Sequence, residues 1–171
     1  MDLAEAFRHA DRDAVPEALL RRAPPATTAP TVEALGLPAE MDGTGPAVSI
    51  VVPTYRDSQY LPDALESVGA QTYRNLELVV VDSSGVEWVE QLAADRDWIT
   101  YLFADPAGVS TARNDGIDAA SGEYVALLDA DDYWHPEKIE RQVAILEEGH
   151  DAVYSDAYLL KDTRLAASVL E

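Results

Sequence analysis

AVSIVVPTY, residues 47–55, is an apolar run dominated by β-branched side chains. A strand with one wet face would alternate apolar and polar residues, so this run reads as a strand covered on both faces. The same texture recurs in LELVVVDSS (76–84), ITYLFAD (99–105), GEYVALLDADD (122–132) and DAVYSDAYLL (151–160), giving a first strand and four more. Helical patterns lie between them. Leu61, Leu65 and Val68 fall at helical spacing, with Pro62 tolerated in the first turn. A short helix is expected around 86–94, another over VSTARNDGIDAAS (109–121), and a third over HPEKIERQVAILEEG (135–149), where Ile139, Val143 and Leu146 align. Regular alternation of strand and helix predicts an α/β fold, Rossmann-like, with a mostly parallel sheet flanked by helices on both faces.

Upstream, residues 2–22 read as helix, with Leu3, Phe7, Val15, Leu19 and Leu20 among charges and Pro16 as a break. Residues 23–46 contain APPATTAP and DGTGP, the composition of a linker. The division expected is therefore a helical extension and linker over 1–46 and a folded domain over 47–171.

The 171 residues suit one domain with a core of its own. Thirty-two acidic against 12 basic residues give a formal net charge of -20. That field repels nucleic acid and anionic membranes, so neither is expected as a partner. Lys138 and Lys161 are the only lysines. Acid spread along the chain with scarce lysine resembles the proteins of salt-loving organisms; an acidic protein from an ordinary cytoplasm is the alternative. No cysteine is present, which excludes disulfides, zinc-thiolate sites and thiol catalysis. No apolar run approaches the ~20 residues of a membrane span, and the N-terminus lacks a secretory pattern. The location expected is cytoplasmic, either free or held peripherally at the inner face of the membrane through a partner.

In parallel sheets, ligands bind beyond the carboxyl ends of the strands. Here those ends carry Pro53, Thr54, Tyr55 and Arg56, then Asp82, Ser83 and Ser84, then Asp105, then Asp129, Asp131 and Asp132. In an extended chain Asp129 and Asp131 share a face, and two carboxylates there suit a hard divalent cation, Mn2+ or Mg2+. An ordinary solvated strand end is the competing reading. Gly108 precedes a helix whose first amides would face an anion, and Arg113 with Asn114 follows in it. Arg113 could equally form a plain salt bridge. Tyr55 offers a ring for a base or packs at the strand end. Asp82 binds a base or ribose, or caps a turn. Trp134 and His135 read as packing and helix-start residues.

The order and spacing of VSIVVPTY, LESVGAQTYRNLELVVVDSS and GVSTARNDGIDAASGEYVALLDADDYWHPEKIERQV resemble family 2 glycosyltransferases of the GT-A fold, over about Val48 to Leu160. The resemblance implies a transferase that moves a sugar, with inversion and a divalent metal, from a nucleotide diphosphate sugar to an acceptor hydroxyl on a glycan, lipid or protein. It implies that Pro53, Thr54 and Tyr55 line the nucleotide pocket and that Asp82 contacts the base. Arg113 and Asn114 lie against the donor, Asp131 holds the metal, and Asp129 is its partner on ribose or metal. The sequence departs from the family in having Ser83 where a second acid commonly follows Asp82. Family members also continue into an acceptor-binding half that supplies the base; this sequence ends at Glu171, with Asp156 a distant candidate. A non-catalytic nucleotide-sugar-binding module, or a fragment that needs a further half or partner, therefore stands as the alternative. A sugar-nucleotide pyrophosphorylase ranks lower, because PTYRDSQY is not the Gly-rich basic loop such enzymes carry after the first strand.

Overall fold

A computed structural model describes residues 35–55, 59–85, 87–161 and 164–168, and the helix expected over 2–22 lies outside them. The chain forms two compact units, one of residues 26–149 and one of 1–25 with 150–171.

The larger unit is built on four strands, β1 (Val48–Thr54), β2 (Leu76–Asp82), β3 (Ile99–Phe103) and β4 (Tyr124–Leu127). They are all parallel and lie in the order β3-β2-β1-β4. Helices α1 (Leu61–Gly69), α2 (Glu87–Ala94), α3 (Val109–Ala119) and α4 (Lys138–Leu146) connect or follow them. The alternation read from the sequence is thus an α/β sheet flanked by helices.

The two faces of the sheet are covered unequally. Ile50, Val52, Leu78 and Val80 pack with Leu61, Leu65 and Val68 of α1, Val89 and Leu92 of α2, and Ile139 and Val143 of α4. Each such buried aliphatic side chain stabilises the fold by about 1.5–3 kcal/mol. Leu35, Leu37 and Met41 join this core, so the end of the linker-like stretch is packed. The opposite face presents Val51, Val79 and Val81 to α3 through Ala112 and Ala119. Gly116 makes this approach possible: a Cβ there would stand 2.3 Å from Val51 Cγ1 and 3.0 Å from Val81 Cγ2. Beside Ser49 and Val51 in register, Val125 and Leu127 of β4 remain exposed.

Two expectations are corrected. The fourth strand stops at Leu127 rather than running to Asp132, because the chain turns over Asp129–Asp132 just beyond it. The segment 151–160 is not a fifth strand of the parallel sheet. Only Tyr158–Lys161 is extended (β5), and it pairs antiparallel with Arg164–Ser168 (β6) in a separate two-stranded sheet. DAVYSDA carries Asp151, Ser155 and Asp156 among its apolar residues, so it lacks the continuous apolar run of a strand covered on both faces.

Candidate functional site

The parallel register brings the strand ends to one edge. Thr54 lies beside Asp82, and Asp82 beside Phe103. Val51 pairs with Leu127, and the ladder continues one step further as Leu128 N–H donates to Val51 O at 3.0 Å.

At the end of β1, Pro53 and Thr54 are buried and Tyr55 is 44% exposed. Thr54 Oγ1 is buried with no hydrogen-bond partner among the described residues. A hydroxyl in that state costs about 1–3 kcal/mol, which a bound ligand would recover.

Asp82 is fully buried. Its Oδ1 accepts from Ser84 N–H at 2.7 Å, the local turn cap anticipated for it, and its Oδ2 accepts from Tyr101 Oη at 3.1 Å. Burial and the Asp82 charge push the Tyr101 phenol up to about 12, so it stays a proton donor at neutral pH. Tyr101 escaped the sequence reading. Its only signal was a polar-tipped ring inside ITYLFAD, and the partner that gives it meaning is 19 residues away.

On the other side, α3 starts after Gly108, whose φ of 98° favours glycine and which offers no side-chain cap. Arg113 of this helix reaches Asp129 at 2.5 Å, with the two side chains 32% and 44% exposed. Arg113 Nε, by contrast, is buried without a partner among the described residues. An ion pair this open contributes only ~0–1 kcal/mol, so its geometry matters more than its strength. Asn114 is exposed, and no hydrogen bond among the described residues ties it to this cluster.

Asp129 to Asp132 form a turn closed by Asp132 N–H donating to Asp129 O at 3.0 Å. The argument from strand alternation therefore does not apply to Asp131; the three acids are gathered by a turn instead. Asp131 and Asp132 are exposed residues. Partial burial of the Asp132 carboxylate group, and then the charges of Asp131 and Asp129 beside it, hold its pKa above the ordinary range. No group of three metal-ligating side chains is already assembled among the described residues. Hard oxygen donors with mutual repulsion nevertheless fit a divalent cation that takes one or two carboxylates and completes its shell with phosphate oxygens and water. Trp134 is buried in the core and His135 is exposed, as packing and helix-start residues should be. Asp156, in the smaller unit, accepts from Ala157 N–H at 2.7 Å.

A four-stranded parallel sheet with polar groups gathered at its carboxyl edge and an acidic turn after β4 defines a Rossmann-like α/β protein. The family model for glycosyl transferase family 2 matches residues 49–164, and the chain belongs to that family. An uncharacterized glycosyltransferase of Rickettsia typhi is 36% identical over 122 residues, which is 70% of this chain and 38% of that protein. The chain thus spans about two fifths of the length of this curated relative. Among solved structures, S. aureus TarS in complex with UDP-GlcNAc matches with a TM-score of 0.51 and 28% identity, over 60% of this chain and 31% of TarS. The mannosyltransferase PcManGT from Pyrobaculum calidifontis, in complex with GDP-Man and Mn2+, matches with a TM-score of 0.50 and 26% identity, over 74% of this chain and 36% of that one. Both likenesses agree with a GT-A fold.

Proposed function

We propose that this chain binds and activates the donor in an inverting, metal-dependent transfer of sugar from a nucleotide diphosphate sugar to an acceptor hydroxyl. The observation that carries the reading is the Arg113–Asp129 pair at the carboxyl edge of the sheet, beside a turn holding two further carboxylates. TarS with UDP-GlcNAc and PcManGT with GDP-Man and Mn2+ support the donor class and the use of a divalent metal.

In this proposal Tyr55 lends its exposed ring to the base, with Pro53 beneath the strand end. Thr54 Oγ1 gains the partner it lacks among the described residues. Asp82, oriented by Tyr101 and Ser84, would accept from a base N–H or a ribose hydroxyl. Asp131 and Asp129 would hold Mn2+ or Mg2+, which when bound offsets charge on the departing diphosphate. Arg113 has donors beyond the one spent on Asp129, and these would face the phosphates. Asn114 lies one residue on, along the exposed side of the same helix. No described side chain is assigned the role of acceptor base.

Calorimetric titration with UDP and GDP, with and without Mn2+, tests the reading. Wild type is expected to bind one of them more tightly with Mn2+. Asp131→Asn is expected to lose roughly tenfold or more of that gain, since one charged metal ligand is removed. It should also bring the Asp132 pKa down, read by carboxyl NMR, because a neighbouring like charge is gone. Equal affinities for the two proteins would remove Asp131 from the metal seat. A wild type that binds neither nucleotide would remove donor binding from this chain.

A further inference from the structure

Gln71 is 2% exposed, and its side-chain amide is used at both ends. Nε2 donates to Ser67 O at 3.0 Å and to His135 O at 2.9 Å, while Oε1 accepts from Ile139 N–H at 3.1 Å. The next residue adds to this. Thr72 N–H donates to Pro136 O at 2.8 Å, and Thr72 Oγ1 donates to Glu140 Oε2 at 2.7 Å. All but the Ser67 bond cross from the loop between α1 and β2 to the segment that follows the Asp129–Asp132 turn.

Bonds such as Glu137 N–H to His135 Nδ1 and Lys138 N–H to His135 O stay within that segment and do not tie it to the rest of the fold. β4 ends at Leu127, and the last ladder bond upstream of the turn is Leu128 N–H to Val51 O. Residues 133–137 have no regular helix or strand structure. Trp134 and Ile139 are buried on either side, but apolar packing is non-directional and does not by itself set the backbone's orientation. The N-terminus of α4 receives no side-chain bond from its own cap residue, Glu137. The amide of Ile139, in its first turn, is satisfied by Gln71 instead.

We infer that Gln71 is the positioning residue of the acidic turn. It clamps the downstream end of the turn to the end of α1, so that Asp129, Asp131 and Asp132 are held against their own repulsion in one arrangement. Its consequence for donor binding rests on the function proposed above; its consequence for the turn does not.

Gln71→Met keeps length and burial while removing all three bonds. The experiment is a comparison of backbone amide order parameters by NMR relaxation in wild type and variant. Residues 129–134 are expected to fall from a rigid value of about 0.85 to below about 0.6, with Val80 and Leu78 unchanged. Unchanged values at 129–134, or an equal fall in β2, would overturn the inference. Should Gln71→Met fail to fold, Gln71→Asn keeps the amide but shortens its reach by one methylene, so that it cannot span Ser67 O, His135 O and Ile139 N–H together. It should loosen the same residues to a smaller extent, and no loosening there would overturn the inference too. Titration with UDP or GDP adds a second readout. The variant should keep the metal-free affinity and lose the gain given by Mn2+, whereas a merely structural residue would lower both or neither. A wild type without nucleotide binding defeats the proposed function, and the order parameters still decide the role of Gln71.

Discussion

Replacing Gly116 by alanine isolates the packing that brings Arg113 to the acidic turn. In an exposed helix the change gains about 0.8–1 kcal/mol of helix propensity. Here the new Cβ would stand 2.3 Å from Val51 Cγ1 and 3.0 Å from Val81 Cγ2, where carbon atoms prefer about 3.5–4.0 Å. Val51 is completely buried on a strand paired on both sides, so it has little room to yield. Helix α3 must therefore move off the sheet and loosen its contacts with Val51, Val79 and Val81. Overpacking of this severity belongs at the top of the usual range, ~3 kcal/mol, which leaves a net loss of ~2 kcal/mol after the propensity gain. Urea denaturation measures it, with Asp118→Ala on the exposed side of the same helix as the control. That control should stay within about 0.5 kcal/mol of wild type. The shift of α3 should also separate Arg113 from Asp129 and weaken Mn2+-dependent nucleotide binding. A Gly116→Ala protein as stable as wild type, or more so, would show that α3 is not held against the sheet as described.

Three other outcomes are expected. Burial raises the Glu77 pKa, but hydrogen bonds from Ser49, Ser121 and Gly122 outweigh it and hold the carboxyl below its ordinary value. Glu77 thus contributes stability that is full above the ordinary glutamate value, about 4.3, and is lost as pH falls through its lower folded value. Glu77→Gln should flatten the melting temperature against pH in that acid range, and an unchanged slope would refute the assignment. Lys138 lies 4.7 Å from the Trp134 ring centroid, donates to Gln142 Oε1 at 2.7 Å, and is pushed down to about 8 by burial. Between about 8 and the ordinary lysine value near 10.4, the unfolded chain holds the extra proton, so stability from this group rises with pH. Lys138→Met should remove that rise, and a rise that survives would place its origin elsewhere. Finally, the net charge of -20 implies self-repulsion that salt screens. The melting temperature should climb from low to molar KCl, and a flat profile would argue against adaptation to salt.

The class of the fold and the place to look for a site were legible in the amino-acid pattern alone. Apolar β-branched runs alternating with helically spaced Leu, Ile and Val are local signals, readable within ten residues or so, and they yielded all four sheet strands and the four described helices. Because parallel strands present their carboxyl ends together, Thr54, Asp82 and Asp129 were legible as residues of one edge before any coordinates. Local pattern, however, states only that a residue is to be buried or turned. It does not name the partner. The order β3-β2-β1-β4, the hairpin in place of a fifth parallel strand, and the packing of Leu35, Leu37 and Met41 from a linker-like stretch were decided by the tertiary structure. So were the buried bond from Tyr101 to Asp82, the glycine that seats α3, and the clamp of Gln71 on Ile139 across 68 residues of chain. Each depends on a distance or a direction between groups far apart in sequence, and hydrogen bonds and close packing carry that information only once the sheet has brought the groups together.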